Sequence, residues 1–272
     1  MLNMAEGVQI ALPAAQIFSI GPFPVTNTMI LGTLGIAVMM AVLFYARANV
    51  LKGKTNFITG MVRWTMEGMY GQVMDIIPNK KVAKSIAPLA LTIFFTVLFT
   101  YWISIIPGVG ESIFVSSTHS PLLRGLPTDL NFTFAIAIIT ILAAQAYAIK
   151  SHGLFGNLGR YFVNPFKNPI GAFEGLLELV GEFSRLIALS LRLFGNAFAG
   201  EVLLAIIAML SGWLASLSLP VFMIFELFIG FIQAYVFFVL TCIFTALGTA
   251  SHGDSSPAHS ADVIATNEAL NS

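Results

Sequence analysis

The sequence predicts an all-α integral membrane protein: five transmembrane helices, one interfacial amphipathic helix, and a long tilted helical hairpin near the C-terminus. Three observations carry this. Apolar residues make up 57% of the 272 residues and charged residues only 10%, against roughly 25% charged in soluble domains, too few to cover a surface facing water. Five stretches approach the roughly 20 apolar residues needed to cross a bilayer. The charges that enter those stretches are gathered in the last two. The chain has 13 basic and 13 acidic residues and no basic tract of the kind that binds nucleic acid. Its one cysteine, Cys242, lies in an apolar run and excludes an intrachain disulfide. A cytosolic globular enzyme, a disordered scaffold and a secreted disulfide-rich domain are thereby excluded.

The elements follow in order within one membrane domain. Residues 1–26 are mildly apolar without a basic leader and read as an outer N-terminal segment, not a cleaved signal. The first span covers 27–46 and ends at Arg47. Residues 55–84 differ from the spans: Ile58, Val62, Met66, Met69, Val73 and Ile76 recur every three or four residues, Trp64 and Tyr70 add aromatic bulk, and Arg63, Glu67, Asp75, Lys80, Lys81 and Lys84 lie between or after them. That pattern suits a helix lying in the interface. The second span, 86–106, is closed by Pro107, and the third, 132–149, stops at Lys150. The fourth, 172–210, is long and carries several charges; the fifth, 219–250, follows the short link Ser211-Gly212-Trp213. Residues 251–272 read as a mobile inner tail. Its His252 and His259 have no other ligand type clustered with them, and neither a metal nor a cofactor is expected.

Orientation follows from Lys and Arg. Segment 47–84 carries seven of them, 150–170 carries three, 107–131 only Arg124 and 211–218 none. This places the N-terminus outside and the C-terminus in the cytoplasm.

An ionisable group inside a bilayer costs about 2.5–3.5 kcal/mol on insertion scales, so each is a functional candidate. The fourth and fifth spans hold Glu174, Glu178, Glu182, Arg185, Arg192, Glu201 and Glu226, and the interiors of the other three hold none. Glu178, Glu182, Arg185, Leu189, Arg192 and Asn196 recur at steps of three and four, one stripe of one helix. Glu201 lies about half a turn round from Arg192 and about 13 Å further along. With the link centred near Trp213, residues equidistant from it stand level: Arg192 with Gln233, and Glu201 with Glu226. Two carboxyls close together in a low dielectric do not both ionise cheaply, so this pair is expected to hold one proton. Arg192 stays cationic, and no acid on its stripe is nearer than Glu182, so its counter-charge is expected from a partner chain.

Plainer readings compete. Glu174, Glu178 and Glu182 can be the solvated end of a long helix, Arg185 can snorkel, Gln233 can join two helices, and Asp129 with Asn131 can be an ordinary helix start. The depth of Arg192, with no easy route to water, speaks against a merely structural role.

The run Ser190-Leu191-Arg192-Leu193-Phe194-Gly195-Asn196-Ala197-Phe198-Ala199-Gly200-Glu201 closely resembles the signature of subunit a of the bacterial F-type ATP synthase. The segments 86–94, with Pro88, and 127–131 resemble that family's second span and the stretch before its third. Pro220, Glu226 and Gln233-Ala234 resemble its last helix. The resemblance covers roughly residues 27–250. It implies a non-catalytic subunit of the membrane sector in the bacterial inner membrane, beside a ring of c subunits and the b subunits of the peripheral stalk. In such a subunit two offset half-channels carry protons to and from the ring carboxylates. Arg192 matches the essential charge between the half-channels. Glu201, Glu226, Asn196 and Gln233 match the outer route, with Asp129 and Asn131 near its mouth. Glu178 matches the inner route, with Arg185 and Glu182 secondary. One departure stands out: bacterial relatives can have His where this chain has Glu226, and here both acids are Glu. The sequence leaves H⁺ and Na⁺ both open as the carried ion.

Two other classes were weighed. A stand-alone proton channel or secondary transporter predicts an internal repeat or broken central helices, and neither is visible. An intramembrane hydrolase predicts a nucleophile with its base; there is no G-x-S-x-G or H-E-x-x-H, nor a P-loop.

Overall fold

A chain this apolar has to satisfy its backbone polar groups within each segment, and long helices do so. The computed structural model describes residues 16–21, 23–106, 114–115, 120–121, 123–161 and 169–250. Among the described residues six α-helices form: α1 (Asn27–Leu51), α2 (Phe57–Ile76), α3 (Lys80–Ile105), α4 (Leu130–Tyr161), α5 (Pro169–Ser211) and α6 (Ala215–Thr249). Residues 1–15, Pro107 and the tail 251–272 with its two histidines lie outside the described residues.

Two short antiparallel strand pairs qualify the purely helical expectation: β1 (Gln16–Ile20) with β2 (Phe23–Thr26), and β3 (Phe114–Val115) with β4 (Ser120–Pro121). Both lie outside the long apolar runs. The first turns at Gly21, whose φ of 62° is left-handed and suits glycine.

Among the described residues four stretches are long and apolar enough to cross a membrane: Asn27–Leu51, Lys80–Ile105, Leu130–Leu154 and Ile170–Thr249. The last contains α5 and α6, joined by one 3-10 turn at Gly212–Leu214. The chain is a multi-pass helical membrane protein.

Several boundaries differ from the sequence reading. Residues 55–84 are not one helix. α2 stops at Ile76 and Ile77 is extended; Pro78 has no N–H to continue the ladder. The Asn79 side chain then accepts from the Lys81 and Val82 amides and caps α3. Lys80, Lys81 and Lys84 therefore open the next helix. α1 runs past Arg47 to Leu51. α4 runs past Lys150 but breaks at Gly153, whose φ of 76° and ψ of 162° are not helical.

On α2 the packed residues are Thr59, Val62, Met69 and Val73, while Ile58 and Met66 of the expected stripe are exposed beside Phe57, Met61 and Trp64. Arg63 donates to Glu67 at 2.6 Å on the outward side, and that carboxylate raises the guanidinium further above its ordinary range.

α3 is the most deeply buried of the four stretches and holds the others together. Phe94 meets Phe95, Phe231 and Phe238 edge-on at 5.2, 6.1 and 6.4 Å between ring centres, a favoured aromatic geometry. Trp102 Nε1 donates to the Leu227 carbonyl of α6 at 3.0 Å. Gly35 lets α1 approach the Thr100 backbone of α3. The 3-10 turn Leu126–Thr128 is wedged among these helices, with Leu126 seated on Gly32 of α1 and Gly125 against Ser104 of α3.

α5 and α6 run antiparallel and side by side. Arg185 lies over the Phe244 ring at 5.5 Å, Gly200 faces Glu226, and Ser218 donates to Ser211 at 2.8 Å.

A Cβ at residue 125 would sit 2.7 Å from the Ser104 Cβ, which is no flexible side-chain end. We predict that Gly125→Ala destabilises the protein by about 1–3 kcal/mol, the usual cost of overpacking, read as a lower thermal midpoint in detergent. Adding Ser104→Gly should recover most of the loss. An unchanged midpoint in the single variant would show that this wedge carries no strain.

Candidate functional site

The site is built on the long α5. Leu189, Ser190, Leu193, Ala197 and Gly200 are buried and define its inner face. Ala188, Leu191, Arg192, Gly195 and Ala199 are exposed and define its open face. The expected polar stripe does not lie wholly on either face. Leu189 is 1% exposed while Arg192 is open, and Glu178, Glu182, Arg185 and Asn196 are half-buried along the border. The stripe is a rim, not a lining. Among the described residues nothing hydrogen-bonds or ion-pairs with Arg192.

Glu226 of α6 is 4% exposed. Its Oε1 accepts from Tyr101 Oη of α3 at 2.5 Å. Its carboxyl lies so close to α5 that a Cβ on Gly200 would collide with it. The Tyr101 ring in turn lies against α6 at Gly230, where a Cβ would strike the ring. Two glycines on two helices thus make room for one carboxyl and the phenol that holds it.

Glu201 has a different partner. Arg124, from the segment before α4, donates through Nε to Glu201 Oε2 at 3.1 Å. Arg124 is 5% exposed and Glu201 is 28% exposed. The guanidinium also lies 5.7 Å over the Phe198 ring, which stacks on Phe194 with its centre 5.7 Å away. Glu201 and Glu226 approach the same level, as the hairpin register requires, but each has its own donor from elsewhere in the chain. Each acid thus has a donor of its own besides its neighbour on the hairpin.

Asp129 and Asn131 form a helix start. Asp129 Oδ1 accepts from the Asn131 amide, and its Oδ2 accepts from Thr28 Oγ1 of α1, both at 2.9 Å. Asn131 itself is exposed. One turn on, Thr133 and Ser190 bond at 3.1 Å, tying α4 to α5 two residues from Arg192. Gln233 is buried, with its Oε1 unmatched among the described residues; Arg192 is open, so the two do not share an environment. Glu182 accepts from Arg185 at 3.1 Å one helical turn away.

Sequence reasoning missed Tyr101 and Arg124. Arg124 carried a signal, as the lone cation of a segment otherwise free of Lys and Arg. Tyr101 carried almost none, being one aromatic in an apolar span. Among the described residues no group of three His, Cys, Asp or Glu is placed to hold a metal ion.

The profile of one protein family, the ATP synthase A chain, matches residues 28–246. Curated relatives agree. The chain is 33% identical to the ATP synthase subunit a of Marinomonas sp. strain MWYL1 over 216 residues, 75% of this chain and 74% of that protein. It is 31% identical to the subunit a of Mycobacterium ulcerans strain Agy99 over 225 residues, covering 80% and 85%. It is also 31% identical to that of Acinetobacter baumannii strain ATCC 17978 over 240 residues, covering 81% of each.

A buried charge that loses its partner is costly, about 3–5 kcal/mol, and discounted where one partner reaches water. We therefore predict that Arg124→Leu lowers the thermal midpoint of the protein markedly, and Glu201→Gln less so because that side chain is partly exposed. The double variant should lose less than the two losses added, since the two residues are in direct contact and their losses overlap. Strict additivity in that cycle would remove the ion pair from the account.

Proposed function

Since this chain belongs to the ATP synthase A chain family, we propose that it conducts protons to and from the c-subunit ring through two offset half-channels, with Arg192 as the fixed charge between them. The family places the chain in the membrane sector of ATP synthase as its proton-translocating subunit, assembled with other subunits of that sector. Five spans, the N-terminus outside and the C-terminus in the cytoplasm, and contact with the b subunits of the peripheral stalk complete the reading.

The observation that carries it is the state of Arg192. A guanidinium cannot shed its proton, yet this one stands on the open face of an apolar helix with no partner among the described residues. An unpaired cation at membrane depth is costly, so a second chain has to supply the anion. Small residues flank it, with Ala188, Gly195 and Ala199 exposed on the same face, leaving room for a helix to come close. A carboxylate on a ring subunit meets both needs. Away from Arg192 and facing lipid it is neutral; opposite Arg192 it ionises, since a nearby cation favours the charged form. The proton released leaves on one side and another is taken up from the other side. A charge crossing at about 100 mV is worth about 2.3 kcal/mol, and several such steps drive synthesis.

The remaining polar residues fit two routes. Glu226, Glu201, Asn196 and Gln233, with Asp129 and Asn131 near the mouth, lie toward the α5–α6 turn and suit the outer route. Glu178, with Glu182 and Arg185 behind it, lies at the other end of α5 and suits the inner one.

We predict that Arg192→Ala abolishes ATP-driven proton pumping in membrane vesicles while ATP hydrolysis by the soluble sector survives. Arg192→Lys should also fail largely, because the ammonium lacks the planar fork and loses its charge more easily. Coupled pumping at the native rate by Arg192→Ala would sink the mechanism. For orientation, Trp213 is 88% exposed in the α5–α6 turn. A cysteine placed there should react with a membrane-impermeant thiol reagent added outside intact cells; labelling only after the cells are opened would invert the topology.

A further inference from the structure

We propose that Tyr101 is a positioning residue of the proton path: its hydroxyl fixes the Glu226 carboxyl against α5, and its ring closes the α3 side of that acid. The proposal rests on the reading that Glu226 lies on the path.

Both groups are almost wholly removed from solvent, Tyr101 at 1% and Glu226 at 4% exposed. A carboxyl in such a place needs donors, and a carboxylate can only accept. Tyr101 Oη is a donor from another helix at hydrogen-bonding distance. The seat is specific in shape. On one side, Gly200 has no side chain, and the Glu226 carboxyl occupies the space a Cβ would take. On the other, the Tyr101 ring fills the equivalent space over Gly230, one turn from Glu226 along α6. The neighbouring Trp102 is fastened to α6 through the Leu227 carbonyl, so α3 cannot slide past α6 without breaking a second bond.

The ring also limits the sides from which the acid can be reached. With the ring lying against Gly230, the crevice between α3 and α6 is filled next to the acid. On the α5 side the carboxyl lies against Gly200 with no side chain between the two helices. Along α5 from there lie Asn196, four residues back on the rim, and Arg192, eight residues back on the open face, about one and two helical turns away. Tyr101 thus acts through Glu226 and need not itself pass the proton.

A plain structural reading holds that the phenol merely satisfies a buried acid. Tyr101→Phe separates the two, because it keeps the ring over Gly230 and removes only the oxygen. In vesicles containing the assembled complex, Tyr101→Phe should assemble normally yet pump protons about tenfold more slowly, roughly what one hydrogen bond to a charged group is worth. In a Glu226→Gln background the same change should alter the rate less than about twofold, because the group it positions is gone. Infrared difference spectra of the purified complex at acid pH read the contact itself. The carbonyl band that disappears in Glu226→Gln should move to higher wavenumber in Tyr101→Phe, as it does when a carbonyl loses its donor. Native pumping by Tyr101→Phe, an equal loss in both backgrounds, or an unmoved band each overturns the proposal. Native pumping by Glu226→Gln is a different result: it removes Glu226 from the path and takes the underlying reading with it.

Discussion

A charge or polar group taken out of water has to be matched, and the cost of leaving it unmatched organises α3 through α6. The structure meets that demand in three ways within the chain. Glu201 is matched by the Arg124 guanidinium, Glu226 by the Tyr101 hydroxyl, and Glu182 by Arg185 on its own helix. Arg192 is the exception. It has no match among the described residues, and it is on a face of α5 left open among them. The two pairs that join different elements, Arg124 with Glu201 and Tyr101 with Glu226, hold the helices in place. The open charge is the one that this part of the chain leaves unmatched.

The same demand fixes the packing. For Glu226 to be buried and still touch a donor from α3, α5 and α6 must approach closely at one level, and Gly200 permits it. For Tyr101 to reach across, α6 must also lack a side chain at Gly230. Trp102 and the edge-on phenylalanines around Phe94 then hold α3 against α6 on both sides of this contact. The acid's surroundings are thus a property of three helices together. α5 supplies little more than an absence of bulk.

Much of this architecture was legible in the sequence because it rests on local rules. Twenty apolar residues make a span, and a link of three residues folds two long helices back on each other, so the level at which Glu201 and Glu226 stand could be read by counting from Trp213. The contact of Gly200 with Glu226 lies within one residue of that level. What failed was the end of a periodic pattern: the helical spacing of 55–84 carries straight across Pro78, where a missing N–H and the Asn79 cap divide it. What could not be read at all were the partners. Tyr101 lies 125 residues from Glu226 and Arg124 lies 77 from Glu201, and no spacing rule reaches so far. The two acids looked like a pair because only each other was visible on the hairpin.

The separate donors also show what two glutamates at one level require. A neutral imidazole carries both a donor and an acceptor and can be satisfied in several orientations. A carboxylate only accepts. A glutamate buried at position 226 therefore requires a donor brought to it, in a fixed direction, by another element. Tyr101 is such a donor, and Gly230 is the room it needs. Glu201 meets the same requirement through Arg124, whose charge is permanent and whose far side is covered by Phe198. Two carboxyls thus stand level on neighbouring helices, each with a donor from a different element. A carboxyl at this level thus sets what α3 must provide, and Tyr101 and the glycine beneath it meet that need.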